Sequence, residues 1–475
     1  MPPFVKADVR HNRTKLRPRI VHIGFGAFHR AHQALFTDQV ARQGDSDWGI
    51  CEVSLFNDTA IAALRAQDHM FSVLETGAES TEIKIVQAAT CALTPSLDGP
   101  EAVIAQLAAA ETAIISLTIT EKGYCIDPAT GRLDMSHPEI LSDLKGSNTP
   151  QTVLGYLTAA LKKRRELGHP PLSILSCDNI QGNGQVAKAA LLAFARQTAP
   201  DLADWINAKI TFPCTMVDRI VPAVTDDTAA DIAAHLGHPD PCGVACEPFK
   251  QWVIEDNFAA GRPDWDIAGA KFVADVTPYE EMKLRMLNGA HSFLAYLGYL
   301  AGYTHISDTM DDPHFRSAAF DLMTQEAAPS LTMPAGADLR AYAEQLIVRF
   351  SNPALKHKTW QIAMDGSQKI PHRLGGSLKH HLAQGTDFPM IALGIAAWMR
   401  YVSGMDEQGH SIDICDPLAA ELYKRANQPD PVASLLGMEA IFEPEIGRNS
   451  DVITKVTQAY NALLQHGAKA ALAAL

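Results

Sequence analysis

The chain has 475 residues and a formal net charge of −14, from 40 Lys plus Arg against 54 Asp plus Glu. At roughly 100–200 residues per domain this excludes a single small module, and the acidic balance argues against general binding to nucleic acid or anionic membrane. With 47% apolar residues a large buried core is expected, no apolar run approaches the roughly 18–20 residues that span a bilayer, and the expected partner is a small molecule.

The first twenty residues, MPPFVKADVRHNRTKLRPRI, are basic but lead into an apolar strand with no signal-like core, so they read as a surface arm. Apolar β-branched runs at 20–23, 50–55, 83–88, 113–118 and 172–176 then alternate with helical spacing at 30–41, 60–67, 100–110, 150–167 and 184–198. That alternation predicts an α/β fold with an N-terminal Rossmann-type doubly wound parallel sheet. Beyond residue 278 the segments 279–302, 313–326, 338–350, 388–403, 417–426 and 452–475 read as helices, without a comparable strand series. A boundary near Thr277 follows, dividing the chain into 1–277 and a mostly α-helical 278–475. Eight scattered cysteines, with Cys242 and Cys246 the only close pair, predict structural thiols and a reducing, cytoplasmic setting rather than a disulfide or zinc framework.

The run Arg19-Ile-Val-His-Ile-Gly-Phe-Gly-Ala-Phe-His-Arg30 is a strand, a Gly24-x-Gly26 turn and a helix start. Such a turn cradles a pyrophosphate: one glycine bends the chain, the next lets backbone approach the phosphates, and the helix N–H groups face the charge. Ile23, Gly24, Phe25, Gly26, Ala27 and Phe28 are the candidate cofactor contacts, although His29 stands where the usual pattern has its third glycine. Asp58, after the second strand, suits a ribose hydroxyl and would repel a 2′-phosphate, which favours NAD over NADP; the alternative is that it caps the next helix.

Pro278-Tyr-Glu-Glu-Met-Lys-Leu-Arg-Met-Leu-Asn-Gly-Ala-His291 opens a helix. At about 100° per residue, with Lys283 at zero, Glu280 lies near 60°, His291 near 80° and Asn288 near 140°, so all four share one wide face. A solvated face is the competing explanation. Converging in a pocket, these groups suit alcohol–ketone chemistry: a base takes the hydroxyl proton as hydride leaves the carbon, while amide and imidazole donors hold the oxyanion. A lysine base needs its pKa lowered from ~10.4 toward ~7–8. Asn179 in Ser176-Cys-Asp-Asn179, and the segments 118–125 and 216–220, fall at strand ends, where either ligand contact or structural pairing is expected. No GxSxG, HExxH or Walker lysine loop is present, and a metal is not required.

The motifs IVHIGFGAFHRAHQA, SLTITEKGYCIDPATG, SCDN, TMVDRIVPA, CEPFKQWVIEDNFAAGRPDW and PYEEMKLRMLNGAHSFLAYLGYLAGY resemble, in order, those of the mannitol dehydrogenase family of long-chain polyol dehydrogenases and hexuronate reductases. The resemblance implies an NAD-binding Rossmann domain at 1–277, a helical substrate and catalytic domain at 278–475, an active site between them, no catalytic zinc, and a monomer or small homo-oligomer acting on a polyol or sugar acid. It further implies Lys283 as general acid/base, Asn179 and Asn288 as oxyanion donors, His291 as a substrate-orienting group and Glu280 as a proton-relay carboxylate. Asp218 would be a substrate-side contact and Lys369 a substrate-binding cation. The stretch 351–369 looks like the hexuronate-reducing branch. A sugar acid calls for extra cations, and Lys122, Arg285, Lys356, His357, Lys358 and Arg373 are the candidates for its carboxylate.

Overall fold

The computed structural model describes residues 13–44, 46–127, 130–146 and 149–475, and divides into two compact units, Met1–Thr277 and Pro278–Leu475. The strands of the first unit are β1 (Arg17–Ile23), β2 (Trp48–Val53), β3 (Phe71–Thr76), β4 (Thr81–Val86), β5 (Ala89–Leu93), β6 (Ile114–Leu117), β7 (Ile126–Asp127), β8 (Arg132–Leu133), β9 (Ser173–Ser176), β10 (Thr215–Asp218), β11 (Val244–Cys246), β12 (Gln251–Glu255) and β13 (Lys271–Val273). Five of them form one wholly parallel sheet in the order β5-β2-β1-β6-β9. The chain builds outward from β1 through β2 and β5, then returns to the other side of β1 for β6 and β9. Strand order therefore reverses between β1 and β6, the crevice where open α/β sheets bind ligands.

Successive side chains feed two separate cores, as a period of two requires. Val21, Ile23, Cys51, Val53, Ile115, Leu117 and Ile174 face the helices Pro100–Ala108, Val153–Glu166 and Asn183–Thr198. Ile20, Ile50, Ile114 and Leu175 face the helices Gln33–Gln43 and Asp58–Ala66.

Three readings of the sequence need correction. The run 83–88 is not a strand of the parallel sheet: Thr81–Val86 pairs antiparallel with β3 in a separate sheet ordered β11-β3-β4, and β5 takes the parallel place. Glu82 and Lys84 interleave there with Ile83 and Ile85, a pattern with one wet face that antiparallel pairing tolerates. The helix expected at 30–41 starts at Ala27 and breaks at His32 (φ −123°, ψ −96°) into Ala27–Ala31 and Gln33–Gln43. Of the basic arm, Arg17–Ile20 already belongs to β1, and the first twelve residues lie outside the described ones.

The second unit is helical, and among the described residues no strand follows β13. The helices Gly289–Leu300 and Pro389–Tyr401 are buried almost all round and pack on each other, so they form its centre. The helices Gly366–Arg373 and Gly375–Gln384 escape sequence patterning, because Gly366, Pro371, Gly375 and Gly376 punctuate them. Among the described residues no helix is long and apolar enough to cross a membrane, and none of the eight cysteines forms a disulfide.

Beneath the Gly24 turn lies a buried polar cluster. The rings of His22 and His29 stack 3.3 Å apart, and His29 Nε2 lies 2.9 Å from Glu52 Oε1 with both side chains fully buried. Burial pushes His29 down to about 3 and Glu52 up to about 7, so the imidazole is neutral at physiological pH. A histidine depressed on folding contributes fully above its ordinary pKa of 6.5, and that contribution is lost as the unfolded chain alone takes up the proton below 6.5. His29→Gln should therefore flatten the fall of stability with acidification by about one proton, roughly 1.4 kcal/mol per pH unit. Urea unfolding of both proteins between pH 7 and about 5 checks this; parallel pH dependences would mean that His29 is charged in the native state.

Candidate functional site

In the first unit the turn after β1 sits at the sheet's reversal point. Gly24 has φ +113°, and a Cβ there would come 2.1 Å from the carbonyl oxygen of Thr118, just past β6. Only glycine fits. Its carbonyl accepts from Thr118 Oγ1 at 2.8 Å and lies 2.9 Å from His22 Nε2, so neighbouring strand ends hold the turn. Gly26 is exposed, and the nearest atom to a Cβ there is 3.9 Å away, which leaves room for a phosphate against the backbone. Ile23 and Phe25 are buried, and Ala27 and Phe28 half-buried beyond the turn. The turn thus fits a dinucleotide pyrophosphate, and the displaced third glycine has a physical reason: His29 points into the core, where it is held by Glu52 and His22. Asp58 is exposed in the first turn of Asp58–Ala66, but it is not the cap. Asn57 fills that position, its side chain accepting from Ala60 N at 3.1 Å.

Asn179 is exposed in the turn that follows β9. Its neighbour Asp178, which the sequence reading passed over, organises that turn. The Asp178 carboxylate accepts from Thr120 N (2.7 Å), Ile119 N (3.2 Å) and Tyr124 O–H (2.8 Å), and burial raises its pKa. Thr120 has φ +62°, a strained conformation for a β-branched residue that the Asp178 bond holds in place. The Asn183 amide group donates to Asp178 O and Thr215 O, both at 2.9 Å, tying the turn to β10, at whose end Asp218 is buried. Lys122 is exposed.

In the second unit the expected helix 279–302 is continuous but not uniform. Thr277–Met282 and Gly289–Leu300 are α-helical, whereas Lys283–Asn288 is a π-helix. The equal spacing assumed from the sequence therefore fails. A π insertion takes up about one extra residue, so His291 rotates back by roughly 100° and comes nearly in line with Lys283. Lys283 is 8% and His291 9% exposed, while Glu280 and Asn288 are half-buried, which overturns the solvated-face alternative.

His291 lies among cations. Its pKa falls well below the ordinary value through burial, then through His357, Arg373, Arg349 and Lys369, which leaves a neutral ring able to donate or accept a hydrogen bond. The ring centroid is 5.6 Å from that of His357 and 4.8 Å from that of Phe350. Lys369 donates to Met364 O at 2.6 Å and lies 4.0 Å from Asp365; burial and Arg373 lower its pKa. Arg373 Nη1 donates to Ser292 Oγ at 2.9 Å and to Asn288 O at 3.3 Å. Arg285 turns elsewhere, to Ser330 O (2.6 Å) and Glu281 (3.3 Å), and Lys356 and Lys358 are exposed. Buried Arg349 is a further cation that the sequence reading did not single out. Among the described residues no group of three or more His, Cys, Asp and Glu side chains is arranged to hold a metal ion.

Known proteins share both units. The Mannitol dehydrogenase Rossmann domain matches residues 18–267, and the Mannitol dehydrogenase C-terminal domain matches residues 275–464. The chain is 54% identical over 479 residues to D-mannonate oxidoreductase of Escherichia coli (strain K12), covering 100% of this chain and 98% of that protein. Among solved structures, Pseudomonas fluorescens mannitol 2-dehydrogenase in ternary complex with NAD and D-mannitol is similar with a TM-score of 0.81 and 38% identity, over 100% of this chain and 96% of that one. D-sorbitol dehydrogenase in substrate-free form is similar with a TM-score of 0.92 and 35% identity, over 97% and 96%. The Rossmann-type sheet and the helical unit that follows it thus have full-length counterparts: the chain is an oxidoreductase and belongs to the mannitol dehydrogenase family.

Proposed function

We propose that the protein is an NAD-dependent reductase of a hexuronate, interconverting D-fructuronate and D-mannonate. The observation that carries the sugar-acid reading is the set of buried or half-buried cations, Lys369, Arg373 and Arg349, gathered around a neutral His291. A neutral polyol needs no such surplus, whereas a desolvated carboxylate does. The full-length similarity to a D-mannonate oxidoreductase agrees. The second reading is a polyol dehydrogenase acting on mannitol or arabinitol, favoured by the likeness to mannitol 2-dehydrogenase; tagaturonate reduction and a non-catalytic NAD-binding regulator complete the alternatives.

Residues Ile23 to Phe28 would hold the dinucleotide phosphates, with Asp58 at the adenosine ribose. The chemistry NAD supplies when bound is exchange of a hydride with the substrate's carbinol carbon. Lys283 gives a proton to the carbonyl oxygen during reduction and takes it back from the hydroxyl during oxidation. Asn179 and Asn288 donate hydrogen bonds to the oxygen as its charge develops. His291, kept neutral by burial, orients the substrate; Glu280 relays the exchanged proton toward water, and Asp218 and Lys369 fix the sugar chain.

A panel of D-fructuronate, D-tagaturonate and D-fructose, followed by NADH oxidation, should give D-fructuronate the highest kcat/KM, and a higher value for fructose would transfer the protein to the polyol branch. Lys283→Ala should lower kcat by at least ~10²-fold with NADH binding nearly intact. In wild type, oxidation requires the neutral amine and should accelerate as pH rises through the lysine pKa, while reduction requires the ammonium and should slow. If the Ala variant keeps the wild-type rate and pH profile, the proton travels through another group. Asp58→Ser should narrow the preference for NAD over NADP, measured as the ratio of kcat/KM values; an unchanged ratio would remove Asp58 from the ribose site.

A further inference from the structure

Arg373 ends the helix Gly366–Arg373, which is firmly based. Asp365 N donates to Cys415 O at 2.9 Å, and Ser367 N and Oγ donate to the two carboxylate oxygens of Asp416 at 2.8 and 2.6 Å. Lys369 and Arg373 stand one turn apart on this helix; Lys369 has the Asp365 carboxylate 4.0 Å away, whereas Arg373 has no such counter-charge among the described residues. The helix approaches the Lys283–Asn288 segment closely, because a Cβ on Gly289 would come 3.1 Å from the Arg373 carbonyl oxygen.

Arg373 itself reaches only neutral acceptors, Ser292 Oγ and Asn288 O, both through Nη1. Among the described residues no carboxylate lies within ion-pair distance of its guanidinium, and its Nε and Nη2 have no protein acceptor. Burial lowers its pKa to about 10. The guanidinium is half-buried, and its Nε and Nη2 are not sealed from solvent, so its open edge can meet an incoming anion. It is also preorganised for a bidentate pair with a planar anion, in a way that an ammonium is not.

The other candidates are spent, neutral or exposed: burial and Arg349 lower the pKa of half-buried His357, which leaves it uncharged. Arg285 is paired with Glu281 and Ser330, Lys369 donates to Met364 O and Ile362 O, and Lys122, Lys356 and Lys358 are exposed. Arg373 also touches the residues that bracket the reacting end: the main chain of Asn288, and Ser292 beside His291. An anion on its open edge would therefore lie within a short sugar chain's length of those groups.

We propose that the Arg373 guanidinium is the receptor for the substrate's carboxylate, and hence the side chain that selects a sugar acid over the corresponding polyol or ketose. This assignment rests on the hexuronate reading above.

The test compares D-fructuronate with D-fructose, in which the carboxylate is replaced by a neutral hydroxymethyl group, on wild type, R373M, R373K and R349Q. R373M should lower the fructuronate-to-fructose ratio of kcat/KM by at least ~10²-fold, chiefly through a raised KM for fructuronate. R373K, which keeps the charge but not the fork, should recover part of the loss. Equal losses for both substrates in R373M would make Arg373 a structural residue and overturn the proposal, as would collapse of the ratio in R349Q alone. A wild-type enzyme that prefers fructose would instead sink the hexuronate reading itself. Should R373M melt early, R373K carries the test through product inhibition: its Ki for D-mannonate should rise by ten-fold or more while its Ki for D-mannitol rises far less, and equal shifts in the two values would overturn the assignment.

Discussion

Desolvation of ionisable side chains is the constraint on which the rest of this molecule depends. A charge removed from water must find a partner or give up its proton, and the two units answer that demand differently. Beneath the Gly24 turn of the Rossmann unit the answer is neutralisation within the protein: His22 and His29 are neutral, and Glu52, raised to about 7, sits against His29. That cluster carries the Gly24 turn, so the geometry offered to a pyrophosphate is fixed by strand ends rather than by the turn alone. In the helical unit Arg373 meets only the neutral acceptors Ser292 and Asn288, whereas its neighbour Lys369 has Asp365 4.0 Å away. The first arrangement stabilises a shape; the second is where we propose that an anion binds.

Three departures from regular backbone fall at or beside the proposed site residues. Gly24 takes a conformation closed to other residues, Thr120 is held at positive φ by Asp178, and the helix that carries Lys283 widens into a π-turn over Lys283–Asn288. Each costs local stability and is retained by surrounding hydrogen bonds or packing. The π-turn brings His291 nearly in line with Lys283, so the side proposed to face the reacting oxygen carries a proton donor and a neutral imidazole.

What the sequence made legible follows the strength of its periodic signals. Four of the five strands of the parallel sheet, the glycine turn, the division near Thr277 and the long helices of the second unit all carry clear apolar patterns. The strand at Thr81–Val86 was assigned to the wrong sheet, because an apolar run does not reveal its neighbour. The π-turn left no mark, since Lys283–Leu287 are all good helix formers and the insertion is a tertiary effect. Asp178 was missed because its role is to bind backbone N–H groups from another strand's turn. His29 looked like a flaw in a glycine pattern until its partner Glu52, distant in sequence but adjacent on the neighbouring strand, was visible.

We propose that a neutral-imidazole, cation-rich site in the helical unit binds a sugar acid with its carboxylate on Arg373 and its reacting oxygen on Lys283. The most direct measurement is a crystal structure of the protein with NAD and D-mannonate. The expected result is a carboxylate paired through both oxygens with the Arg373 guanidinium, and the hydroxyl at the opposite end within hydrogen-bond distance of Lys283 Nζ. A carboxylate left in solvent, or paired with Lys122 or Arg285 while Arg373 keeps only Ser292 and Asn288, would contradict it.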